Sequence, residues 1–139
     1  MWDPHCQTDI LELEKIQKRA ARFVTNNYTF EAGNTQKNML ELGWKPLEER
    51  RAHIKVNTFQ KARMGLLDIP INDLRLNNNS TRGGNLTYVI PASRVDGHLY
   101  SFYPNTMRLW NSLPDAIKNN TSVDTFKRAS EDIVLRDLY

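Results

Sequence analysis

Four basic residues near the N-terminus have a spacing that would allow contact with nucleic acid: Lys15, Lys18, Arg19 and Arg22. In a helix these positions share one face, because they recur at i, i+3, i+4 and i+7. Such a face could grip the sugar–phosphate backbone of RNA or an RNA–DNA hybrid without reference to base sequence. The same spacing is typical of the solvated side of an amphipathic helix, so both interpretations stay open.

A fifth basic residue, Arg82, lies next to Gly83 and Gly84 in the polar stretch 77–85. Glycine lets a backbone approach a phosphate closely, which makes Arg82 a second candidate for nucleic-acid contact. A further basic group lies in the middle of the chain, beside Glu48 and Glu49, and consists of Arg50, Arg51 and Lys55. Ordinary pairing within a helix explains this group equally well.

The chain lacks the residue patterns of a catalytic site. Its adjacent acidic pairs, Glu48-Glu49 and Glu131-Asp132, are predicted to lie on helices without a turn that would aim both carboxylates at one metal ion. One cysteine and three histidines cannot complete a zinc site. The sequence contains no Gly-x-x-x-x-Gly-Lys phosphate loop and no Gly-x-Ser-x-Gly elbow. We therefore expect no catalysis, no metal, no cofactor and no small-molecule substrate.

Hydrophobic periodicity predicts a mainly α fold of about five helices, with one short strand or hairpin in the C-terminal half. The strand is predicted over Leu86–Ile90, where β-forming residues precede a proline. The predicted helices cover about 8–24, 35–42, 46–64, 102–113 and a last segment from 121 or 122 onward. Gly43 and Gly65 are predicted to end the second and third helices.

The first predicted helix has a broad apolar face made of Ile10, Leu13, Ile16, Ala20, Phe23 and Val24. Thr8 or Asp9 is predicted to cap its start, and a capping box from Thr121 to Asp124 is predicted to start the last helix. Trp110 lies on an apolar stripe and is predicted to be in the core rather than to stack on bases. Trp44 is predicted to pack between two helices.

Composition indicates a globular chain of 139 residues with a net charge of +3, three segments and no secretory signal. A helical segment is predicted over 1–75, a polar loop with a short strand over 76–100, and a helical tail over 101–139. The single cysteine excludes an internal disulfide, and no run is long enough to span a membrane. We expect an intracellular location, cytoplasmic or nuclear.

Several segments together resemble the region after the palm in jockey-like non-LTR retrotransposon reverse transcriptases. The N-terminal ones are Trp2-Asp3-Pro4-His5, the run from Leu13 to Phe23, Met39-Leu40-Glu41-Leu42-Gly43-Trp44, Leu47-Glu48-Glu49-Arg50-Arg51 and Gly65-Leu66-Leu67-Asp68-Ile69-Pro70. The C-terminal ones are Thr81-Arg82-Gly83, Ser101-Phe102-Tyr103-Pro104, Trp110-Asn111-Ser112-Leu113-Pro114 and Phe126-Lys127. They cover nearly the whole chain in the family's order.

The resemblance implies a truncated thumb and post-thumb tail, separated from its polymerase. The family's Phe/Tyr-Ala-Asp-Asp motif does not occur in the chain, and Met1 stands where the family has a hydrophobic residue before the tryptophan. We therefore expect a non-catalytic fragment of an RNA-directed DNA polymerase that packs on the missing palm and touches nucleic acid. Two alternatives stay open, an orphaned helical interaction module and a decayed transposon remnant without selected function.

Overall fold

Seven α-helices form the described part of the chain, which comprises residues 3–29, 31–71, 74–77 and 86–133 of a computed structural model. They are α1 (Gln7–Thr25), α2 (Asn34–Glu41), α3 (Leu47–Arg63), α4 (Asp96–Leu99), α5 (Phe102–Ser112), α6 (Asp115–Lys118) and α7 (Val123–Glu131). The mainly helical fold is confirmed. The two helices beyond the predicted five, α4 and α6, have four residues each and flank α5.

The ends of α1, α2 and α3 share one backbone motif, built on Asn26, Gly43 and Gly65 with φ of 50°, 64° and 72°. After α2, the Gly43 N–H donates to the Leu40 carbonyl and the Trp44 N–H donates to the Met39 carbonyl at 2.8 Å. This pair of bonds is the Schellman motif, which needs a left-handed residue and therefore favours glycine. The predicted helix ends at the two glycines are confirmed.

The predicted N-terminal caps are wrong. Thr8 and Asp9 lie inside the first turn of α1, which follows Cys6 without a side-chain capping bond. α7 follows Ser122, again without a side-chain capping bond, so the predicted capping box is not formed. Asp124 instead lies in the first turn of α7, where its negative charge interacts favourably with the positive end of the helix dipole.

The described residues belong to two compact units, Met1–Arg51 and Ala52–Tyr139, with the boundary inside α3. The first unit contains α1 packed on α2. The buried residues of α1 are Ile10, Gln17 and Ala21. The division predicted from composition, at 75/76 and 100/101, follows the polar stretch rather than packing and stays a prediction.

Two polar side chains of α1 tie the first unit together. The Gln17 Nε2 donates to the Lys45 carbonyl at 2.9 Å, and the Glu14 carboxylate accepts the Glu48 N–H at 3.1 Å. The Glu48 N–H belongs to the first turn of α3, whose donors have no partner within the helix. Glu14 therefore caps α3 from a distant part of the chain.

An aromatic cluster forms the core of the second unit. Trp110 is fully buried, stacks on Phe126 with ring centroids 5.6 Å apart, and lies 5.3 Å from the Phe59 ring. Phe59 in turn meets the Tyr88 ring edge-on at 5.2 Å. Apolar side chains from α3, from α5 and from the residue that follows α5 complete this core: Ala52, Val56, Met107, Leu109 and Leu113. The prediction that Trp110 is a core residue is confirmed.

The predicted strand at Leu86–Ile90 is reduced, among the described residues, to one antiparallel bridge between Leu76 and Tyr88. On its other edge, the Tyr88 backbone bonds to the side chain of Asn111, whose Oδ1 accepts the N–H at 2.9 Å and whose Nδ2 donates to the carbonyl at 2.8 Å. Because this amide occupies the position of a neighbouring strand, β pairing does not extend there.

Candidate nucleic-acid interface

Helix α1 buries a different face from the one that its apolar residues predict. Of the predicted apolar residues, only Ile10 is buried, and Leu13 is half-buried. Ile16, Phe23 and Val24 are 61%, 75% and 56% exposed. The prediction was wrong for these three residues and for Ala20, which is also exposed, because the polar contact of Gln17 with the α2–α3 connection helps to set which side of α1 faces inward.

The four predicted basic residues of α1 all lie within the helix, and we name them the cation strip. Lys15 and Arg19 are exposed, and Lys18 and Arg22 are half-buried. Lys15 donates to the Glu12 carboxylate at 2.6 Å, and this contact lowers the pKa of Glu12. Glu12 is therefore ionised at neutral pH and forms an ion pair with Lys15. Within the described ranges the other three cations form no ion pair, although the charge of Arg19 makes a smaller contribution to lowering the pKa of Glu12.

The remaining basic candidates contribute less. Arg82 lies outside the described residues, so its role stays a prediction. In α3, Arg51 is buried with its Nε 3.0 Å from the Asp3 carboxylate, and Lys55 is also buried. Only Arg50 of that group is exposed. The basic group of α3 is therefore mainly part of the packed structure.

Neither of the described tryptophans is a free stacking surface. The Trp110 Nε1 donates to the Leu86 carbonyl at 2.8 Å, and the Arg63 guanidinium lies 5.0 Å from the Trp110 ring centre. Trp44 is half-buried beside the C-terminus of α2. The exposed aromatic residue next to the cation strip is Phe23, which sequence reasoning missed. Periodicity placed Phe23 on an apolar face but could not show which part of that face stays in water.

The segment Trp110-Asn111-Ser112-Leu113-Pro114 is built into the second unit. Trp110 and Leu113 are in the core, and Asn111 binds the backbone of Tyr88. The Asn111 carbonyl accepts a bond at 3.2 Å from the Nζ of Lys118, which is only 2% exposed. A buried cation at the end of α5 satisfies a carbonyl that has no helical partner. The described contacts of this segment therefore stabilise the fold of the second unit.

Throughout the described ranges, no three His, Cys, Asp or Glu residues come together in a way that could hold a metal ion. Glu49 instead lies 2.9 Å from the Lys45 Nζ, and Glu131 lies 4.0 Å from the Lys127 Nζ. No described helix has the length and apolar character needed to cross a lipid bilayer.

Comparison with known proteins gave no match to any family model, curated protein or solved structure. The quoted sequence segments therefore remain the basis for the resemblance to retrotransposon reverse transcriptases.

Proposed function

We propose that this chain is a non-catalytic nucleic-acid-binding domain, equivalent to the C-terminal tail of a non-LTR retrotransposon reverse transcriptase. The observation that carries the proposal is the cation strip of α1, in which Lys18, Arg19 and Arg22 have no ion-pair partner among the described residues. Cations held on a rigid helix can contact successive phosphates, and such contacts are independent of base sequence.

The structural roles of the resembling segments agree with this proposal. Glu14 and Gln17, in the first resembling helix, bind backbone groups at the start of α3 and before it. Because Gln17 faces inward, Arg19 and Arg22 fall on a different side of the same helix, and Lys18, four residues after Glu14, is half-buried at the border of the inward side. The segment therefore presents its cations in a fixed orientation. In the proposal, this surface touches the phosphates of RNA or an RNA–DNA hybrid while other faces pack on a polymerase palm.

Reversing two charges of the cation strip should weaken nucleic-acid binding. For the double variant K18E/R22E, we expect the affinity for a labelled RNA–DNA hybrid to fall and the slope of log K against log salt to decrease by about one per lost phosphate contact. Fluorescence anisotropy across a salt series measures both quantities. Circular dichroism of the variant shows whether the helices are retained.

The matched control is K61E/R128E, which makes the same charge change at two exposed residues of the second unit. We expect this control to retain the salt slope of the parent chain, because a binding site confined to α1 does not use the charges of Lys61 and Arg128. Equal losses in both double variants would show that binding follows net charge alone. Absence of salt-dependent binding in the folded parent chain would contradict the proposed function.

A second candidate function, a helical interaction module, is favoured by exposed apolar residues in the first unit. Leu40 on α2 is 80% exposed, and Ile16 and Val24 are exposed on α1. Exposed apolar residues mark a site that packs on other proteins where they form one contiguous patch. If they do so here, the purified chain should self-associate in sedimentation velocity, and L40K should shift it toward monomer. A parent chain that stays monomeric at high concentration would exclude self-association.

A further inference from the structure

We propose that the α1 surface takes single-stranded nucleic acid, with Phe23 stacking on an unpaired base beside the phosphates held by the cation strip. This inference rests on the proposed function and narrows its ligand from nucleic acid in general to an unpaired strand. In a duplex or hybrid the base faces are covered by their neighbours, whereas every base of a single strand offers a π-face.

The first observation is the position of Phe23 on the helix. It lies four residues after Arg19 and one after Arg22, so it neighbours Arg19 along one side of α1. At 75% exposure, most of the ring is in water. An exposed phenylalanine does not contribute to the core, but it can cover an unpaired base whose sugar–phosphate chain reaches the adjacent guanidinium groups.

The second observation is that the backbone around Phe23 is fixed. Its carbonyl accepts the Asn26 N–H at 3.4 Å in the motif that ends α1. The following residues are fixed as well, because the Asn27 amide bonds to Asn34 on α2 at 3.0 Å and to Asn38 at 3.2 Å. A platform on a rigid backbone loses little conformational entropy when a base stacks on it.

A second exposed aromatic residue, Tyr28, lies just after the end of α1, five residues after Phe23. It is 53% exposed and lies between Asn27 and Thr29, whose side chains bond to each other at 2.8 Å. The C-terminal end of α1 and the turn after it therefore carry two exposed rings, and exposed rings are the groups on which unpaired bases stack. The positive charge of Arg19 and Arg22 is complementary to phosphate, which favours a nucleic acid over an uncharged apolar protein surface.

The test measures the affinity of the full chain for three labelled probes of equal length. They are a single-stranded dT12, the corresponding strand of abasic residues, and an RNA–DNA hybrid. For F23A, we expect the affinity for dT12 to fall by about 5- to 150-fold. Its affinities for the abasic strand and for the hybrid should stay within about twofold of the parent chain, because those probes offer no free base face. F23W should bind dT12 at least as tightly as the parent chain.

Two further variants identify the kind of contact. F23L keeps apolar area without a ring, so its affinity for dT12 should fall as that of F23A does. V24A removes a neighbouring exposed side chain and should leave the affinity for dT12 unchanged. Unchanged dT12 binding by F23A, or parent-like binding by F23L, overturns base stacking while the proposed function stands. If the parent chain binds none of the three probes, the proposed function fails, and the inference fails with it.

Discussion

Replacing Trp110 with alanine is expected to lower the free energy of unfolding by about 3 to 5 kcal/mol, the largest effect of any substitution considered. The indole is fully buried, and it packs between Phe59 and Phe126. Its removal leaves a cavity where three elements meet, and it also leaves the Leu86 carbonyl without its donor. Total stability of about 5 to 15 kcal/mol is usual for a domain, so W110A should be close to the unfolding threshold.

Urea unfolding followed by circular dichroism measures this change without relying on the fluorescence of the residue that is removed. W110F keeps an aromatic ring but loses the Nε1 bond, so we expect a smaller loss of about 1 to 2 kcal/mol. F23A is the matched surface control, because it also replaces an aromatic residue with alanine but should change stability by less than about 0.5 kcal/mol. Similar losses in W110A and F23A would contradict the assignment of Trp110 to the core.

The second large effect is expected at Asn111, where N111A should lower the free energy of unfolding by about 2 to 3 kcal/mol. Its side-chain amide makes two bonds to Tyr88, one with the N–H and one with the carbonyl. Alanine removes both bonds. Since Tyr88 is buried, its backbone groups would be left without partners and without ready access to water. Thermal or urea unfolding of N111A measures the loss.

N111D separates the two bonds at nearly constant volume. The ionised carboxylate can accept the Tyr88 N–H but faces the Tyr88 carbonyl oxygen without a proton to donate. The folded state therefore favours the protonated form of the introduced carboxyl and raises its pKa above that of the unfolded chain. Because this pKa is raised, the stabilisation that the protonated carboxyl provides is present at low pH and is lost as the pH rises through the pKa of the folded state.

Accordingly, N111D should differ less from the parent chain at pH 4 than at pH 7, with both proteins measured at each pH. The control is N119A, because Asn119 is exposed at the end of α6, and we expect it to change stability by less than about 0.5 kcal/mol. A difference between N111D and the parent chain that is independent of pH would argue against the bond to the Tyr88 carbonyl.

These two residues belong to the segment Trp110-Asn111-Ser112-Leu113-Pro114, which also carries part of the family resemblance. Its described contacts are within the core or with the backbone of the second unit. Substitutions in this segment are expected to change stability, whereas substitutions of Lys18, Arg22 and Phe23 on α1 are expected to change nucleic-acid affinity. A variant that keeps its stability and loses nucleic-acid binding would therefore support the proposed interface on α1.

The sequence by itself determined where several helices end and that the chain is mainly helical. Gly43 and Gly65 end α2 and α3 because a left-handed residue closes the terminal hydrogen bonds, and glycine adopts that conformation without a steric penalty. Leu113 leaves the helical region before Pro114, as the residue before a proline does. These are local effects, so a short window of residues suffices to predict them.

Only the tertiary structure decided which face of α1 lies inward. Periodicity defines the faces of a helix, but the partner is distant in sequence, and here polar contacts from Gln17 and Glu14 to residues 45 and 48 accompany the buried side. As a result Phe23, predicted to lie on the apolar face of the first helix, is exposed beside Arg19. Likewise, the residues of Leu86–Ile90 favour a strand locally, but Asn111 takes the backbone bonds that a neighbouring strand would need. Both outcomes depend on contacts between residues far apart in the chain, which propensity and spacing do not contain.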